Sequence, residues 1–233
     1  MSSTNTSINV NDKLYRFLSE HLSEHKRNLF DRIAADRTKH ICLVLEDLYQ
    51  IQNISALFRS AESWGIQDVH VIENNNSFAV HKRIAKGAGD WLTVSRYNRT
   101  PDNSKTCFET LRKKGYRIAV TALSPDAVSL DELDFNHPTA VVLGTELTGA
   151  SEYAISVADV KFKIPLYGFT ESLNVAAAGA VIMRYAAEKI RKENINWQLN
   201  DNELIELKTE WAKKTISWSK YLIELFESGE IKA

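Results

Sequence analysis

Short apolar runs alternate with amphipathic helical stretches through the middle of this chain, and this order constrains the fold more than any other feature. Turn residues bound the runs, and apolar residues between them recur at helical spacing. Because strand and helix take turns, the pattern predicts an α/β fold with a mostly parallel sheet and helices on both faces. Strands are predicted at 41–45, 69–72, 117–121, 140–144 and 160–164, and helices at 54–64 and 107–114.

Amphipathic segments flank this core at both ends. Apolar residues at helical spacing predict one or two helices within 11–35. A second stripe predicts a C-terminal helix, which either packs on the chain's own core, the favoured interpretation, or contacts RNA; it contains Leu204, Leu207, Trp211, Trp218, Leu222 and Leu225. Residues 1–9 are polar, and we expect them to be disordered. The predicted organisation is a tail with a helical extension at 1–38, a core domain at 39–193 and a helical extension at 194–233.

The segment 173–187 is apolar on nearly every face of a helix. A helix of this kind is buried all round, either in the core or at a contact between subunits. Gly179 lies inside it and permits close approach of another backbone, although glycine costs about 1 kcal/mol of helix propensity.

Charge and composition exclude several classes of protein. The 233 residues carry 29 Lys and Arg against 30 Asp and Glu, so any nucleic-acid site must be local. Cys42 and Cys107 are the only cysteines, and the histidines lack ligand spacing, so neither a disulfide framework nor a metal is expected. No glycine-rich phosphate loop follows a strand, which disfavours a dinucleotide site. Without a signal sequence or an apolar run near about 18 residues, we expect a soluble, cytoplasmic protein with no membrane partner.

Polar residues gather in the loops after three predicted strands, where an open α/β sheet binds its ligands. After the first strand, Asn53 is placed to cap the next helix, and Arg59 lies six residues further on. After the fourth, Glu146 lies in a tight loop between two glycines, and after the fifth, Ser172 is expected to cap a helix near Asn174. Taken singly, each loop also has an ordinary structural interpretation, as a turn, a cap or a surface ion pair.

One stretch is more basic than the rest of the chain. Between His81 and Arg117 there are ten Lys and Arg and three Asp and Glu, a difference of +7. Such a block is either a solvated face or a contact for a phosphate backbone. Trp91 and Tyr97 within it stack on bases in the second interpretation and belong to the core in the first. The candidate RNA-binding residues are Lys82, Arg83, Lys86, Arg96 and Lys113.

Together, the three loops resemble the three motifs of the SpoU (TrmH) branch of the SPOUT RNA 2′-O-ribose methyltransferases. The likeness extends over 39–193 in the right order, and within the branch it is greatest to the tRNA guanosine-18 2′-O-methyltransferases, which carry short helical extensions at both ends. The matching segments are Asn-Ile-Ser-Ala-Leu-Phe-Arg at 53–59, Val-Val-Leu-Gly-Thr-Glu-Leu-Thr-Gly at 141–149, Ile-Pro-Leu-x-Gly at 164–168 and Ser-Leu-Asn-Val-Ala at 172–176.

The resemblance implies a fold, a reaction and a set of residues. It implies a C-terminal trefoil knot in the sheet domain, although chains generally avoid knots. It also implies a homodimer in which Arg59 reaches a site completed by the partner, and transfer of a methyl group from S-adenosylmethionine, without a metal, to a ribose 2′-hydroxyl of tRNA. The catalytic residues implied are Arg59, Asn53, Glu146, Ser172 and Asn174, and those around the cofactor are Thr121, Ala122, Leu123, Gly144, Thr145, Glu146, Ile164, Leu166, Ser172, Leu173 and Asn174.

Some positions depart from the motifs, and two alternatives stay open. Leu147-Thr148 replaces a charged or small residue followed by glycine, Ala176 replaces a frequent serine, and Glu171 replaces a frequent glutamine. Glu171 adds a carboxyl group beside the expected site. The alternatives are an enzyme of the same family that acts on ribosomal RNA, and a non-catalytic RNA-binding protein that retains the fold.

Overall fold

Seven parallel strands form one sheet in the middle of the chain. The structure is a computed structural model that describes residues 10–229, without the side chains of residues 82 and 84. The strand order is β3-β2-β1-β6-β4-β7-β5, and every pair of neighbours is parallel. The strands are β1 (Ile41–Glu46), β2 (Asp68–Ile72), β3 (Thr93–Tyr97), β4 (Arg117–Thr121), β5 (Val128–Ser129), β6 (Thr139–Leu143) and β7 (Val160–Lys163).

Helices connect the strands and flank the sheet. The connecting helices are α3 (Ile51–Ser63), α4 (Lys82–Ala85), α5 (Ala88–Trp91), α6 (Asn103–Lys113) and α7 (Glu152–Val157), with a 3-10 turn at Leu130–Glu132, and α8 (Val175–Lys192) follows the last strand. The helices outside this region are α1 (Val10–Glu20), α2 (Glu24–Ala35), α9 (Asp201–Thr215) and α10 (Ser219–Ser228).

Apolar side chains cover both faces of the sheet. On β1, Leu43 and Leu45 belong to a buried cluster that includes residues of α3 and α8. Cys42 and Val44, which point to the opposite face, belong to a second cluster with residues of α6 and α7. The predicted parallel sheet with helices on both faces is therefore confirmed.

The chain divides into two units, one formed by residues 38–197 and the other by the segments on either side of them. In the second unit, α9 packs against α1 and α2. Its core contains Trp211, which is buried and lies edge to face with Phe30 at 5.4 Å between ring centroids. Leu207 and Leu222 of the predicted C-terminal stripe are also buried, whereas Trp218 is 49% exposed. The sequence predicts a single C-terminal helix, but the structure has two, because α9 ends at Thr215 and α10 begins at Ser219.

In the single chain, helix α8 is not buried on all sides, so burial in the core does not account for its whole surface, and the predicted alternative of a contact between subunits stays a prediction. It begins at Val175 and buries Ile182, Met183 and Ala186, but Val181 is 43% exposed in the single chain. Gly179 lies on the buried face, where a Cβ would come within 2.2 Å of Leu57 Cδ2. One face of α8 is therefore open, and the opposite face packs closely on α3.

The expected disorder of residues 1–9 lies outside the described residues. Within 10–229, no helix combines the length and the hydropathy that crossing a bilayer requires.

Candidate functional site

Glu146 connects the loop after β6 to the start of α3. Its Oε1 accepts hydrogen bonds from Asn53 Nδ2 at 2.9 Å and from the backbone N–H of Gln50 at 3.2 Å, and its Oε2 accepts one from the backbone N–H of Tyr49 at 3.3 Å. Strands β1 and β6 are parallel neighbours, so the loops that follow them meet at the carboxyl edge of the sheet. The carboxylate therefore fixes two loops of this edge to each other.

Asn53 and Asn174 extend this connection to a third loop. The Oδ1 atom of Asn53 accepts a hydrogen bond from Asn174 Nδ2 at 3.2 Å, while its own amide donates to Glu146. Asn53 is buried in the first turn of α3, and Asn174 lies directly before α8. One residue from each of the three sequence motifs thus takes part in a continuous hydrogen-bonded chain, which is called the Asn174–Asn53–Glu146 chain below.

The pKa of Glu146 reflects these contacts. Partial burial raises it, but the hydrogen bonds from Asn53 and from the backbone N–H groups of Glu146, Gln50 and Tyr49 outweigh burial and lower the pKa below its ordinary value. Glu146 is therefore ionised at neutral pH, and its negative charge is balanced by N–H donors instead of a cationic side chain.

The predicted caps at Asn53 and Ser172 are wrong, whereas Asn174 closes the first turn of its helix, as one of its two interpretations predicted. Helix α3 begins at Ile51, two residues before Asn53, so the side chain of Asn53 does not cap it but turns toward Glu146. Ser172 does not cap α8 either, because that helix begins later and Asn174 caps it, accepting from the N–H groups of Ala176 and Ala177. Ser172 lies exposed in the loop before the helix.

The loop between β6 and α7 is closed on itself. Thr145 and Gly149 exchange two backbone hydrogen bonds, at 2.8 and 3.0 Å. Gly149 has a φ of +72°, and a Cβ on Gly144 would lie 2.1 Å from the backbone nitrogen of Ala150. Both positions therefore require glycine, and at Gly144 the close neighbour is the loop itself.

The remaining residues expected around a cofactor follow β4 and β7, which are neighbours in the sheet. Thr121 donates its hydroxyl to the carbonyl of Val142 at 3.1 Å, and the N–H of Ala122 binds the carbonyl of Phe162 at 3.0 Å. Leu123 is 66% exposed. Ile164 and Leu166 are half-buried, and Leu173, Tyr167 and Phe169 are exposed. This edge of the sheet therefore combines backbone polar groups with exposed apolar surface.

Arg59 is not part of the Asn174–Asn53–Glu146 chain. It lies on the exposed side of α3, and no described residue forms a hydrogen bond or an ion pair with its guanidinium. Six residues separate it from Asn53, or about 1.7 turns of a helix, so the two side chains leave α3 on different faces.

The basic block does not form one surface. Arg96 forms a bidentate ion pair with Glu73 at 2.8 and 2.9 Å, and this bond lowers the pKa of Glu73. Lys113 ends α6 shortly before β4 begins, so it lies at the amino edge of the sheet, opposite the Asn174–Asn53–Glu146 chain. Arg83 and Lys86 are exposed in and after α4. Lys82 begins that helix.

Of the aromatic residues in the block, Tyr97 takes part in the interior. Its hydroxyl lies 3.1 Å from Nδ1 of buried His70, and burial lowers the pKa of that histidine to about 4. This arrangement favours the core interpretation for Tyr97.

Sequence reasoning missed two buried carboxylates at the end of β1. Glu46 and Asp47 are almost fully buried, and their carboxylates accept hydrogen bonds from Ser104, Ser151 and the segment 74–76. The sequence signal that was overlooked is an acidic pair directly after an apolar run. No group of three or more metal-ligating side chains occurs within 10–229.

Comparison with known proteins relates this chain to one family of methyltransferases by sequence and by fold. Residues 40–184 match the SpoU rRNA Methylase family. The tRNA (guanosine(18)-2′-O)-methyltransferase of Borreliella burgdorferi is 33% identical over 211 residues, which are 91% of this chain and 95% of the relative. The structure is similar to the crystal structure of the A. aeolicus TrmH/SpoU tRNA modifying enzyme, with a TM-score of 0.75 and 23% identity over 83% of this chain and 98% of the other.

A second solved structure has the same fold. It is the SpoU methyltransferase AviRb from Streptomyces viridochromogenes in complex with the cofactor AdoMet, with a TM-score of 0.58 and 23% identity over 70% of this chain and 65% of the other. At such identities the solved structures establish likeness of fold, whereas the family match spans more than half of the chain. The chain belongs to the SpoU rRNA Methylase family.

Proposed function

We propose that this protein transfers a methyl group from S-adenosylmethionine to the ribose 2′-hydroxyl of guanosine 18 in the D-loop of tRNA. The observation that carries the proposal is the Asn174–Asn53–Glu146 chain, because it joins one residue from each of the three motifs at the carboxyl edge of the sheet. The name of the Borreliella burgdorferi relative supports the choice of tRNA.

The residues at this edge fit S-adenosylmethionine. Exposed Leu123 and Leu173 offer apolar surface for an adenine. Its polar edges are assigned to the backbone of 121–123, 144–146 and 164–166, apart from the groups of Ala122 and Thr145 that are already bonded within the chain. The ionised carboxylate of Glu146 lowers the potential at the site and so favours a cationic ligand. S-adenosylmethionine would supply an already activated methyl group on its sulfonium, so the chemistry needs no metal.

Arg59 is assigned to the RNA and not to the cofactor. Its guanidinium is exposed and has no partner among the described residues, so it is available to bind a phosphate in a bidentate pair. Arginine stays protonated in proteins, which disfavours Arg59 as a base. In this proposal a phosphate of the RNA accepts the proton from the 2′-hydroxyl, and Arg59 holds that phosphate and stabilises the developing alkoxide.

Asn53, Glu146, Ser172 and Asn174 are assigned to orienting the ribose and the polar ends of the cofactor. Three of them are held by hydrogen bonds before any ligand arrives, which keeps the reacting groups near the geometry that methyl transfer needs. Ser172 is exposed and free to contact a ligand.

A homodimer completes the proposed site. The open face of α8, with Val181 exposed, is apolar surface that a second copy of the chain would cover. In that assembly Arg59 of one protomer holds the RNA phosphate at a site that its partner completes. The proposal also includes a trefoil knot in a domain at 39–193, helical extensions at 1–38 and 194–233, and a location in the cytoplasm.

The decisive experiment is a methylation assay on purified tRNA and ribosomal RNA, with the modified nucleotide mapped. We expect labelled methyl groups at guanosine 18 of tRNA and none in a control tRNA that carries 2′-deoxyguanosine there. Methylation of ribosomal RNA alone would replace the tRNA assignment with the ribosomal one. If calorimetry detects no binding of S-adenosylmethionine, the enzymatic proposal fails in favour of a non-catalytic RNA-binding protein.

A further inference from the structure

Glu46 is a buried carboxylate that reaches across to the loop after β6. It ends β1, is 2% exposed and accepts three hydrogen bonds. Its Oε1 accepts from the hydroxyls of Ser104 at 2.7 Å and Ser151 at 2.8 Å, and its Oε2 accepts from the backbone N–H of Ser151 at 2.9 Å. Two of the three bonds therefore come from one residue of the neighbouring connection.

Ser151 is the last residue of the loop that carries Gly144, Thr145 and Glu146. It also caps α7, since its hydroxyl accepts from the N–H of Ala154 at 3.0 Å. Glu146, near the start of the same loop, binds back to the connection between β1 and α3. The loop after β6 is thus held at both ends by carboxylates: Glu146 near its start binds the segment after β1, and Glu46 at the end of β1 binds Ser151 at its end.

We propose that Glu46 is a positioning residue for the S-adenosylmethionine site, acting through Ser151 on the loop 144–151. The inference rests on the proposed function above. A buried charge contributes little stability compared with a well-packed apolar side chain, so stability alone does not account for a carboxylate at this position. Its acceptors are directed at a backbone N–H and a hydroxyl of the loop, which fixes where the loop lies relative to β1.

Asp47 provides a matched control one residue away. It is also a buried carboxylate, with 7% exposure, and its Oδ1 accepts from the backbone N–H groups of Asn74, Asn75 and Asn76. Those bonds hold the loop after β2 and not the loop after β6. Asp47 has a φ of +56°, a conformation that asparagine tolerates, so Asp47→Asn removes the charge without straining the backbone.

The experiment compares Glu46→Gln with Asp47→Asn by calorimetry with S-adenosylmethionine, alongside the melting temperature and the KM for tRNA. A glutamine presents an NH₂ group either to the Ser151 N–H or to the serine hydroxyls, so at least one bond is weakened. We expect Glu46→Gln to raise the Kd for S-adenosylmethionine about 5- to 10-fold, which corresponds to the loss of one hydrogen bond, with the KM for tRNA unchanged. Asp47→Asn lowers the melting temperature but leaves that Kd within about twofold of the wild type.

A second pair of variants isolates the route through Ser151. Ser104→Ala and Ser151→Ala each remove one hydroxyl from the same carboxylate oxygen, but only Ser151 belongs to the loop. We expect Ser151→Ala to raise the Kd for S-adenosylmethionine and Ser104→Ala to leave it unchanged.

The outcomes separate the two proposals. If the wild type methylates tRNA, three outcomes would each overturn the positioning role. The first is an equal change in Kd for Glu46→Gln and Asp47→Asn, and the second is no change in Kd for either. The third is an equal change in Kd for the two serine variants. If the wild type itself binds no S-adenosylmethionine, the proposed function fails and the positioning role fails with it.

Discussion

The Asn174–Asn53–Glu146 chain and Arg59 belong to the same sequence motifs, yet the single chain holds them very differently. The former is built from hydrogen bonds of 2.9 and 3.2 Å that join the first turn of α3 to two loops, and its central residue is buried. Arg59, only six residues after Asn53, is exposed and unpaired among the described residues. The difference indicates that one chain prepares the cofactor side of the proposed site in advance, whereas the RNA side is organised only when a phosphate or a second protomer arrives.

The largest effect, on the rate of methylation, is expected for Arg59→Lys, which changes the exposed residue of the comparison. A lysine keeps the charge but does not form the bidentate pair, so we expect the single-turnover methylation rate to fall about 100-fold or more. The Kd for S-adenosylmethionine, measured by calorimetry, stays within about twofold, because Arg59 has no contact with the Asn174–Asn53–Glu146 chain. Near-wild-type methylation by this variant would refute the assignment.

The next largest effect, on the free energy of unfolding, is expected for Asn53→Asp, which disrupts the Asn174–Asn53–Glu146 chain. The substitution places a second carboxylate against Glu146 Oε1, where Asn53 Nδ2 now donates at 2.9 Å. We expect the free energy of unfolding to fall by about 1 to 3 kcal/mol at pH 7.5 and the pKa of Glu146 to rise. Urea unfolding at pH 7.5 and 5 measures this, and the loss shrinks at the lower pH as one carboxyl takes up a proton. Equal losses at both pH values would show that repulsion between the two carboxylates is not the cause.

A smaller effect is expected when Arg83→Ala is compared with Lys113→Ala, two residues that the sequence placed in one basic block. Arg83 is exposed beside α3, whereas Lys113 lies at the opposite edge of the sheet. We expect Arg83→Ala to weaken tRNA binding several-fold and to lower the slope of log K against log salt by about 1. Lys113→Ala, which the sequence also assigned to RNA, is expected to have the weaker effect. Binding that does not depend on salt contradicts a phosphate contact for either residue.

The smallest effect is a pH dependence that comes from Glu146. Its pKa in the folded protein is below its ordinary value, so its contribution to stability is present above about pH 4.5 and is lost as the pH falls through the folded-state pKa. The difference in unfolding free energy between the wild type and Glu146→Gln should therefore be constant from pH 7 to about 5 and decrease in more acidic solution. A difference that grows on acidification would contradict the lowered pKa.

The sequence predicts the buried strands well and the edge strands poorly, for a physical reason. The first five residues of β1 are apolar because helices cover both of its faces, so the run is easily recognised. Strand β3 is at the edge of the sheet, with Thr93 and Arg96 exposed, and it shows no apolar run. Strand β5 has only two residues, which is too short for any pattern.

The candidate site shows the same limit. That the three loops meet follows from parallel strands ending at one edge, and this was predictable. Which atoms bond was not, because it depends on where each helix begins. A start at Ile51 turns Asn53 toward Glu146, whereas a start at Asn53 would have used the same side chain as a cap.

The close packing of α3 on α8 has a consequence for engineering. Replacing glycine by alanine inside a helix is a common way to raise thermal stability, and Gly179 is an obvious target. Here the added methyl group would lie 2.2 Å from Leu57 Cδ2 and 2.9 Å from Leu143 Cδ1, and both of these side chains are buried, with little room to move aside. The alanine would therefore overpack the contact between α3 and α8, the two helices that begin beside Asn53 and Asn174, and would lower the stability that it was chosen to raise.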